Sequence, residues 1–442
     1  MNGRSGATRA VVAQFGGPTP VINRTLIGIV KALKEKGVEA LGPNSGIPGI
    51  MRNDFYNLSL YSDYHLDRIS KKPGAELGTT KYHVDEQNAL LIVDRLKQEN
   101  IRYFYMIGGD STASIAKNIL KAAKALKPEY ELTVVHVPKT IDNDLVETDH
   151  CPGFGSGAMF LAFSAFGIDQ ENRSTGGIFL HVSMGRDAGY LAAASTLLRS
   201  QDGGPHLVYM PEKNFVLENF LKDVDDVLST RGRAYVVVSE GLRYKWFDNH
   251  GKSESRLVSD AAAEELRESV EAEKELGGIS TSEGSKVLAR YLDMKLKNAF
   301  PKQRVRADTL GYLSRSFPLP SPVDAREAEF VGREAVYYSL NGNGSGSVVI
   351  RRLGERHAYA ITTDYVDINL VAGQSKSMPL DWIGKYGKNV SQDFMLYAGP
   401  LIGHVEGFDL PHLLPGGFDL NKFCIPRTEA TVTWDSVVDL IY

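Results

Sequence analysis

The stretch Leu132-Thr133-Val134-Val135-His136-Val137-Pro138-Lys139-Thr140-Ile141-Asp142-Asn143-Asp144 decides how this chain folds. Leu132 to Val137 is mostly apolar and reads as a buried strand. Pro138 stops it, and a lysine, a hydroxyl, an amide and two carboxylates follow within six residues. In open α/β sheets, ligands bind in the crevice at the carboxyl ends of the strands, so such a density of polar groups there suits a ligand site. In extended chain Asp142 and Asp144 would face one side, one placed to take a proton and the other to help hold a cation. An acidic turn closed by Asx-type hydrogen bonds to its own backbone would use the same residue types. The flanking segments weigh against that plainer reading.

The same strand, polar loop and helix recur on either side. Ala10 to Phe15 reads as a strand, Gly16-Gly17-Pro18-Thr19 as a turn, and Val21 to Lys36 as a helix with Ile22, Leu26, Ile29, Val30 and Leu33 on one face. Asn44 to Leu77 reads as an irregular, loop-bearing insertion, and Glu86 to Glu99 as a helix. Arg102 to Ile107 is a strand ending in Gly108-Gly109-Asp110-Ser111-Thr112, with a helix from there to about Leu126. A second series begins near Gly153. It places strands at Gly176 to Val182, His206 to Met210 and Ala234 to Val238, and helices from Gly189 to Leu198 and from Phe215 to Ser229. Lys252 to Leu276 reads as a charged helix, Gly277 to Gly284 as a break, and Asn341 to Gly346 as a hairpin-like turn before a strand from Ser347 to Arg351. The alternation predicts an α/β protein built from mainly parallel sheets with right-handed crossovers.

Composition sets outer limits. A chain of 442 residues exceeds one ordinary core, so about two or three domains are expected. The net charge of −4 argues against a general nucleic-acid binder. Cys151 and Cys424 are the only cysteines, which fits a reducing cytoplasm and excludes a cysteine-based zinc site. Met1 to Arg9 is polar and lacks the apolar core of a secretory signal, and no stretch approaches the length of a membrane span. A cytoplasmic protein without nucleic-acid or membrane partners is the expectation.

Each strand-end loop carries its own chemistry. Glycines at Gly16-Gly17 allow backbone N–H groups to approach phosphate oxygens at a helix N-terminus, although a tight turn between strand and helix would also need them. Gly108-Gly109-Asp110 adds a carboxylate, the combination that lets Mg²⁺ sit between protein and substrate phosphates; a helix-capping aspartate would look the same. Met184-Gly185-Arg186 offers a guanidinium for a bidentate phosphate contact, or for a surface salt bridge. Ser239-Glu240-Gly241 offers a carboxylate for sugar hydroxyls or for a helix cap. Arg304-Val305-Arg306 and Tyr312-Leu313-Ser314-Arg315 add cations beside a phenol, suited to a sugar phosphate or to a solvated basic face.

Together these segments resemble the phosphofructokinase family. The carrying motifs are Gly16-Gly17-Pro18-Thr19, Gly108-Gly109-Asp110, Pro138 to Asp144, Met184-Gly185-Arg186, Ser239-Glu240-Gly241 and Gly311-Tyr312-Leu313-Ser314-Arg315, in family order from about Val11 to Val349. The resemblance implies two Rossmann-like three-layer domains with the active site in the cleft between them. The first, 1–152 plus about 314–373, would hold the phosphoryl donor and Mg²⁺. The second, 153–313, would hold fructose 6-phosphate, and 374–442 would form a C-terminal lid or interface segment. It also implies a homodimer or homotetramer that phosphorylates the 1-hydroxyl of fructose 6-phosphate. Asp142 would be the general base, with Lys139 and Arg186 catalytic beside it. Gly16, Gly17, Gly109 and Ser111 would bind the donor, and Asp110 the Mg²⁺. Thr140, Ile141, Asp142, Met184, Gly185, Arg186, Glu240, Tyr312 and Arg315 would bind the sugar phosphate, and Arg306 would reach it across a subunit interface.

Donor choice turns on positions 111 and 139. ATP-using members of the family carry glycine at both, whereas pyrophosphate-using members carry aspartate and lysine. This chain has Ser111 and Lys139. Lysine supplies the cation that a compact donor needs. Serine crowds a nucleotide α-phosphate but lacks the repelling carboxylate. Gly177 stands where bacterial ATP-dependent relatives carry an interface arginine. The expected activity is therefore reversible phosphorylation of fructose 6-phosphate by pyrophosphate in glycolysis. The alternatives are an ATP-dependent phosphofructokinase and a non-catalytic sugar-phosphate-binding paralogue. A dinucleotide-binding oxidoreductase is disfavoured because no G-x-G-x-x-G follows the first strand.

Overall fold

Residues Thr133–Pro138 form a fully parallel-paired inner strand, and the computed structural model builds a seven-stranded sheet around it. The model describes residues 8–403 except 81, 83, 127–129, 201, 248–252, 269–283, 355–357 and 385–386. In chain order the strands of this sheet are β1 (Arg9–Gln14), β2 (Glu39–Pro43), β3 (Phe55–Asn57), β4 (Ile101–Gly108) and β5 (Thr133–Pro138). A smaller sheet follows with β6 (Gly177–Ser183), β7 (Leu207–Tyr209) and β8 (Arg233–Ser239). A ribbon of β9 (Arg243–Phe247) and β10 (Ser253–Leu257) comes next, then β11 (Val305–Thr309), β12 (Gly346–Arg352) and β13 (Ile361–Val366).

The larger sheet runs β13-β12-β5-β4-β1-β2-β3, with only the outermost pairs antiparallel. Its inner strands are apolar and buried, as parallel strands covered on both faces must be. One face packs on helix Ile22–Glu35 and the late helix Pro322–Leu340; the other packs on helices Glu86–Gln98 and Asp110–Ala125. The two helices of the first face cross closely because glycines meet there. A Cβ on Gly28 would lie 2.3 Å from the Glu329 carbonyl oxygen, and one on Gly332 2.3 Å from that of Thr25. This contact brings residues 322–366 back to the first sheet. The smaller sheet, β11-β6-β8-β7, is parallel throughout. Helix Phe154–Thr175 contributes to the core on one face, and helices Leu217–Arg231 and Gly284–Ala299 cover the other. Both sheets lie within one compact unit, Met1–Val405, and Glu406–Tyr442 falls outside the described residues.

Several sequence expectations need correction. The insertion at 44–77 is ordered, with helices Ile47–Arg52 and Asp63–Ser70 around β3. The charged stretch after Lys252 begins as a strand, because Ser253–Leu257 pairs antiparallel with Arg243–Phe247; only Val258–Glu268 is helical, and 269–283 lies outside the described residues. The glycine-rich turn at 341–346 closes no hairpin. It links a helix to β12, which pairs parallel with β5. The helix expected from Gly189 to Leu198 is short, Tyr190–Ala194. After residue 374 the chain adds to the core: Met378, Ile383, Phe394, Ala398, Leu401 and Ile402 pack with Phe154, Tyr190 and Leu191. Cys151 is a free buried thiol; Cys424 lies outside the described residues. Among the described residues no helix is long and apolar enough to cross a membrane.

Candidate active site

The strand ends predicted to carry chemistry converge. In the larger sheet, β1, β4 and β5 end at Gly16-Gly17, Gly108-Gly109-Asp110 and Lys139 to Asp144. Gly16 has φ of 70°, a left-handed turn that a side chain would strain. The Lys139 side chain runs beneath this turn. Its Nζ donates to the Gly17 carbonyl at 2.8 Å and lies 3.4 Å from where a Cβ on Gly16 would be. Lys139 is only 4% exposed. Burial, with the Arg315 charge nearby, pulls its pKa down to about 8.

Gly109 caps helix Asp110–Ala125 without any side-chain cap, so the first N–H groups of that helix are left for a ligand. Asp110 sits in the first turn, and Ser111 is exposed, its hydroxyl 3.4 Å from Asp110 Oδ1. A Cβ on Gly109 would meet only the Lys139 carbonyl, at 3.8 Å, so the loop has open space above it.

The run from Thr140 to Asp144 is a turn rather than extended chain, which corrects the argument that placed both carboxylates on one side. Asn143 has φ of 60°. The Asp142 N–H donates to Thr140 Oγ1 at 3.1 Å. Asp142 Oδ1 is buried and has no hydrogen-bond partner among the described residues. Burial, reinforced by Glu240 and Asp187 and opposed by Arg315 and Lys139, pushes the Asp142 carboxyl up to about 6. Asp144 is pushed up to about 7 by burial and by the carboxylates of Asp142 and Asp110. Ile141 is 3% exposed in the apolar core, so its side chain packs and does not line the cavity described next.

The smaller sheet supplies the other wall. A cavity of about 850 Å³ is lined by Met184, Arg186, Glu240, Tyr312 and Arg315, all expected from the sequence. Gly185 has φ of 112°, and its N–H donates to the Glu240 carboxylate, whose pKa burial raises. A Cβ on Gly241 would fall 1.9 Å from the Arg186 carbonyl, so this glycine permits the two loops to touch. Ser259, Asp260, Ser285, Lys286 and Thr309 also line the cavity and were missed; Ser285 hydrogen-bonds Glu240. They sit on helix starts and a strand end with no local motif. Arg315 joins the two walls. It lines the cavity, and its Cζ and Nη1 lie 3.0 Å from where a Cβ on Gly17 would be. Arg306 does not line the cavity. Its Nη2 donates to Thr175 Oγ1 at 2.6 Å, while Nε and Nη1 have no partner among the described residues.

A left-handed glycine turn, a buried lysine beneath it and a polar cavity joined to that turn by Arg315 are thus assembled from two mainly parallel sheets. The phosphofructokinase family model matches residues 9–338. The chain belongs to the phosphofructokinase family. A pyrophosphate–fructose 6-phosphate 1-phosphotransferase of Rhodospirillum rubrum is 38% identical over 399 residues, spanning 89% of this chain and 94% of the relative. The protein of the same name from Xanthomonas campestris is 31% identical over 401 residues, 88% and 90% of the two chains. Among solved phosphofructokinases, the pyrophosphate-dependent enzyme of Nitrosospira multiformis superposes with a TM-score of 0.76 at 27% identity, covering 94% of this chain and 96% of its own.

Proposed function

We propose that this protein transfers a phosphoryl group between pyrophosphate and the 1-hydroxyl of fructose 6-phosphate, as a pyrophosphate-dependent phosphofructokinase of glycolysis. The observation that carries the donor is Lys139, whose ammonium bonds the Gly17 carbonyl under the phosphate turn. The seven-stranded sheet acts as the donor module and the four-stranded sheet as the sugar-phosphate module, with residues 374–403 supporting them. Gly16, Gly17, Gly109 and Ser111 hold pyrophosphate through backbone N–H groups and the helix N-terminus. Tyr312, Arg315 and Arg186 bind the sugar phosphate, and Met184, Gly185, Glu240 and Thr140 shape its site. Asp142 takes the proton of the attacking hydroxyl. Lys139, Arg315 and Arg186 balance the charge that spreads over the transferring oxygens.

Mg²⁺ suits this carboxylate set. Asp110 and Asp142 raise the Asp144 pKa, so negative charge accumulates where a cation would be welcome. Among the described residues no three acidic, histidine or cysteine side chains form a cage. Asp110 would therefore share the ion with donor phosphates. Bound there, Mg²⁺ would neutralise phosphate charge.

We further place the enzyme in the cytoplasm as a homodimer or homotetramer. Arg306 stands where relatives place an arginine that reaches across a subunit interface, which supports the same role here. ATP is the second reading for the donor, because Ser111 is exposed and carries no charge to repel an α-phosphate. Steady-state kcat/KM for pyrophosphate and for ATP, side by side at saturating fructose 6-phosphate and Mg²⁺, decides between them. A clear ATP preference would overturn the pyrophosphate reading.

A further inference from the structure

Little within the Asp142–Asp144 turn itself orients its carboxylates. Asn143, between them, is fully buried and holds a left-handed φ of 60°. Asparagine tolerates that conformation better than most residues, and here its side-chain hydrogen bonds hold it there. The support comes from a segment beyond residue 338, where the family match ends. Asn143 Oδ1 accepts the Cys151 N–H at 3.1 Å, and its Nδ2 donates to the Tyr397 hydroxyl at 2.8 Å. That hydroxyl donates onward to the Asp149 carbonyl at 2.8 Å. One phenol thus ties the middle of the turn to the far end of the same loop.

Lys376 closes the loop from another side. Its N–H donates to the Asp144 carbonyl at 2.7 Å, beside an antiparallel bridge between Leu145 and Ser375. Its ammonium donates to the carbonyls of Thr148 and Asp149, both at 2.7 Å. Tyr397 has little freedom to shift. Its ring packs against Phe154, Tyr190, Trp382 and Phe394, and Arg352 lies over it with Cζ 4.7 Å from the ring centre. Arg352 also grips the Asp149 carboxylate through Nε and Nη2.

We propose that Tyr397, together with Lys376, is a positioning residue for phosphoryl transfer, holding the Asp142–Asp144 turn where Asp142 can take the proton. Neither side chain lines the sugar cavity. Both act through the loop backbone. The inference rests on Asp142 being the base of the reaction proposed above. A small displacement of a base is felt more in the transition state than in ground-state binding. Loss of the hydroxyl therefore shows in kcat and not in KM.

The test is Tyr397→Phe in the full-length enzyme, which keeps the ring and removes only the hydroxyl. Rates are read with whichever donor the wild type prefers, so an error in the donor reading appears in the wild type, and an error in this inference appears in the ratio of variant to wild type. The expected result is a fall in kcat of roughly 10- to 100-fold, with the KM values for donor and fructose 6-phosphate unchanged. Asn143→Ala, which also loses the Cys151 contact, should fall at least as far, and the double variant no further than Asn143→Ala, because the Tyr397 hydroxyl reaches the turn through Asn143. Lys376→Met should show the same split between kcat and KM. A wild-type kcat in Tyr397→Phe, or losses that multiply in the double variant, would overturn the proposal. If Tyr397→Phe does not fold, Lys376→Met decides, and an unchanged kcat there overturns it equally.

Discussion

Replacing Lys139 with methionine should make the protein less active and more stable at once. The folded protein holds this ammonium at 4% exposure, with its pKa lowered from 10.5 to about 8. Keeping the charge in the free site at neutral pH costs roughly 3 kcal/mol. A lysine whose folded pKa is depressed destabilises the native state below that pKa. The penalty fades as pH rises from about 8 towards 10.5. Methionine removes the penalty and leaves the Gly17 carbonyl without its donor, which costs about 1 kcal/mol. The variant should therefore gain about 2 kcal/mol at pH 7, and less above pH 8. In the proposed complex the same charge would stand beside the donor phosphates. One unit charge at about 4 Å and an effective dielectric constant of about 20 is worth about 4 kcal/mol, or on the order of 10³ in kcat/KM for pyrophosphate. The assays are fructose 1,6-bisphosphate formation at saturating fructose 6-phosphate, and urea unfolding at pH 7 and pH 9. Loss of stability in step with activity, or kcat/KM within about tenfold of wild type, would refute the reasoning.

Asp142→Asn should lower kcat by about 10²–10⁴ with substrate binding largely kept, and a near-wild-type kcat would remove Asp142 from the role of base. In the wild type, kcat/KM should rise through pH about 6 as Asp142 ionises and fall above about 8 as Lys139 loses its proton; the alkaline limb should be absent from Lys139→Met. Arg315→Ala should raise KM for fructose 6-phosphate and, because the guanidinium abuts Gly17, for the donor too; a change confined to one substrate would put Arg315 in that substrate's site alone. Ser111→Asp should suppress any residual ATP use while sparing pyrophosphate, measured as the ratio of kcat/KM values. Mixing Arg306→Ala subunits with Asp142→Asn subunits, under verified exchange, should regenerate some active hybrid sites; no recovered activity would exclude the cross-subunit role.

The parallel strands were legible because burial on both faces leaves mostly apolar runs, such as Val134 to Val137 with His136 its one polar member, bounded by glycine or proline. The ribbon strand Ser253–Leu257 was not, because only Leu257 is buried and the remaining side chains carry no apolar period. The turn before β12 looked like a hairpin because glycine and asparagine mark both kinds of turn. Whether a strand returns to its neighbour or crosses to β5 is fixed by packing over residues 322–340, which no local pattern encodes. The site divides in the same way. Residues on strand-end loops announced themselves by clustering. Ser259 and Ser285 line the cavity from helix starts, where serine ordinarily caps. Tyr397 meets Asn143 across 254 positions, and no local motif around it signals that contact.

The electrostatics of the free site explain why position 139 should outweigh position 111 in choosing a donor. Burial drives Lys139 towards losing its charge and drives Asp142 and Asp144 towards keeping their protons. Each group is thus held against its preferred state until a partner arrives. An anionic donor beside Lys139, with a cation beside the carboxylates, supplies both partners, so binding energy is recovered in the place where charge moves during transfer. Lys139 reaches that place directly: its Nζ donates to the Gly17 carbonyl and lies 3.4 Å from where a Cβ on Gly16 would be. Ser111 is exposed, and its hydroxyl lies 3.4 Å from Asp110 Oδ1. A solvated neutral hydroxyl neither attracts nor repels a further phosphate strongly, whereas a desolvated ammonium acts at full strength on whatever occupies the turn. A compact diphosphate would be held by that turn, by the helix start at Gly109 and by a cation shared with Asp110. A nucleotide would also need space and contacts beyond Ser111 for its α-phosphate, sugar and base.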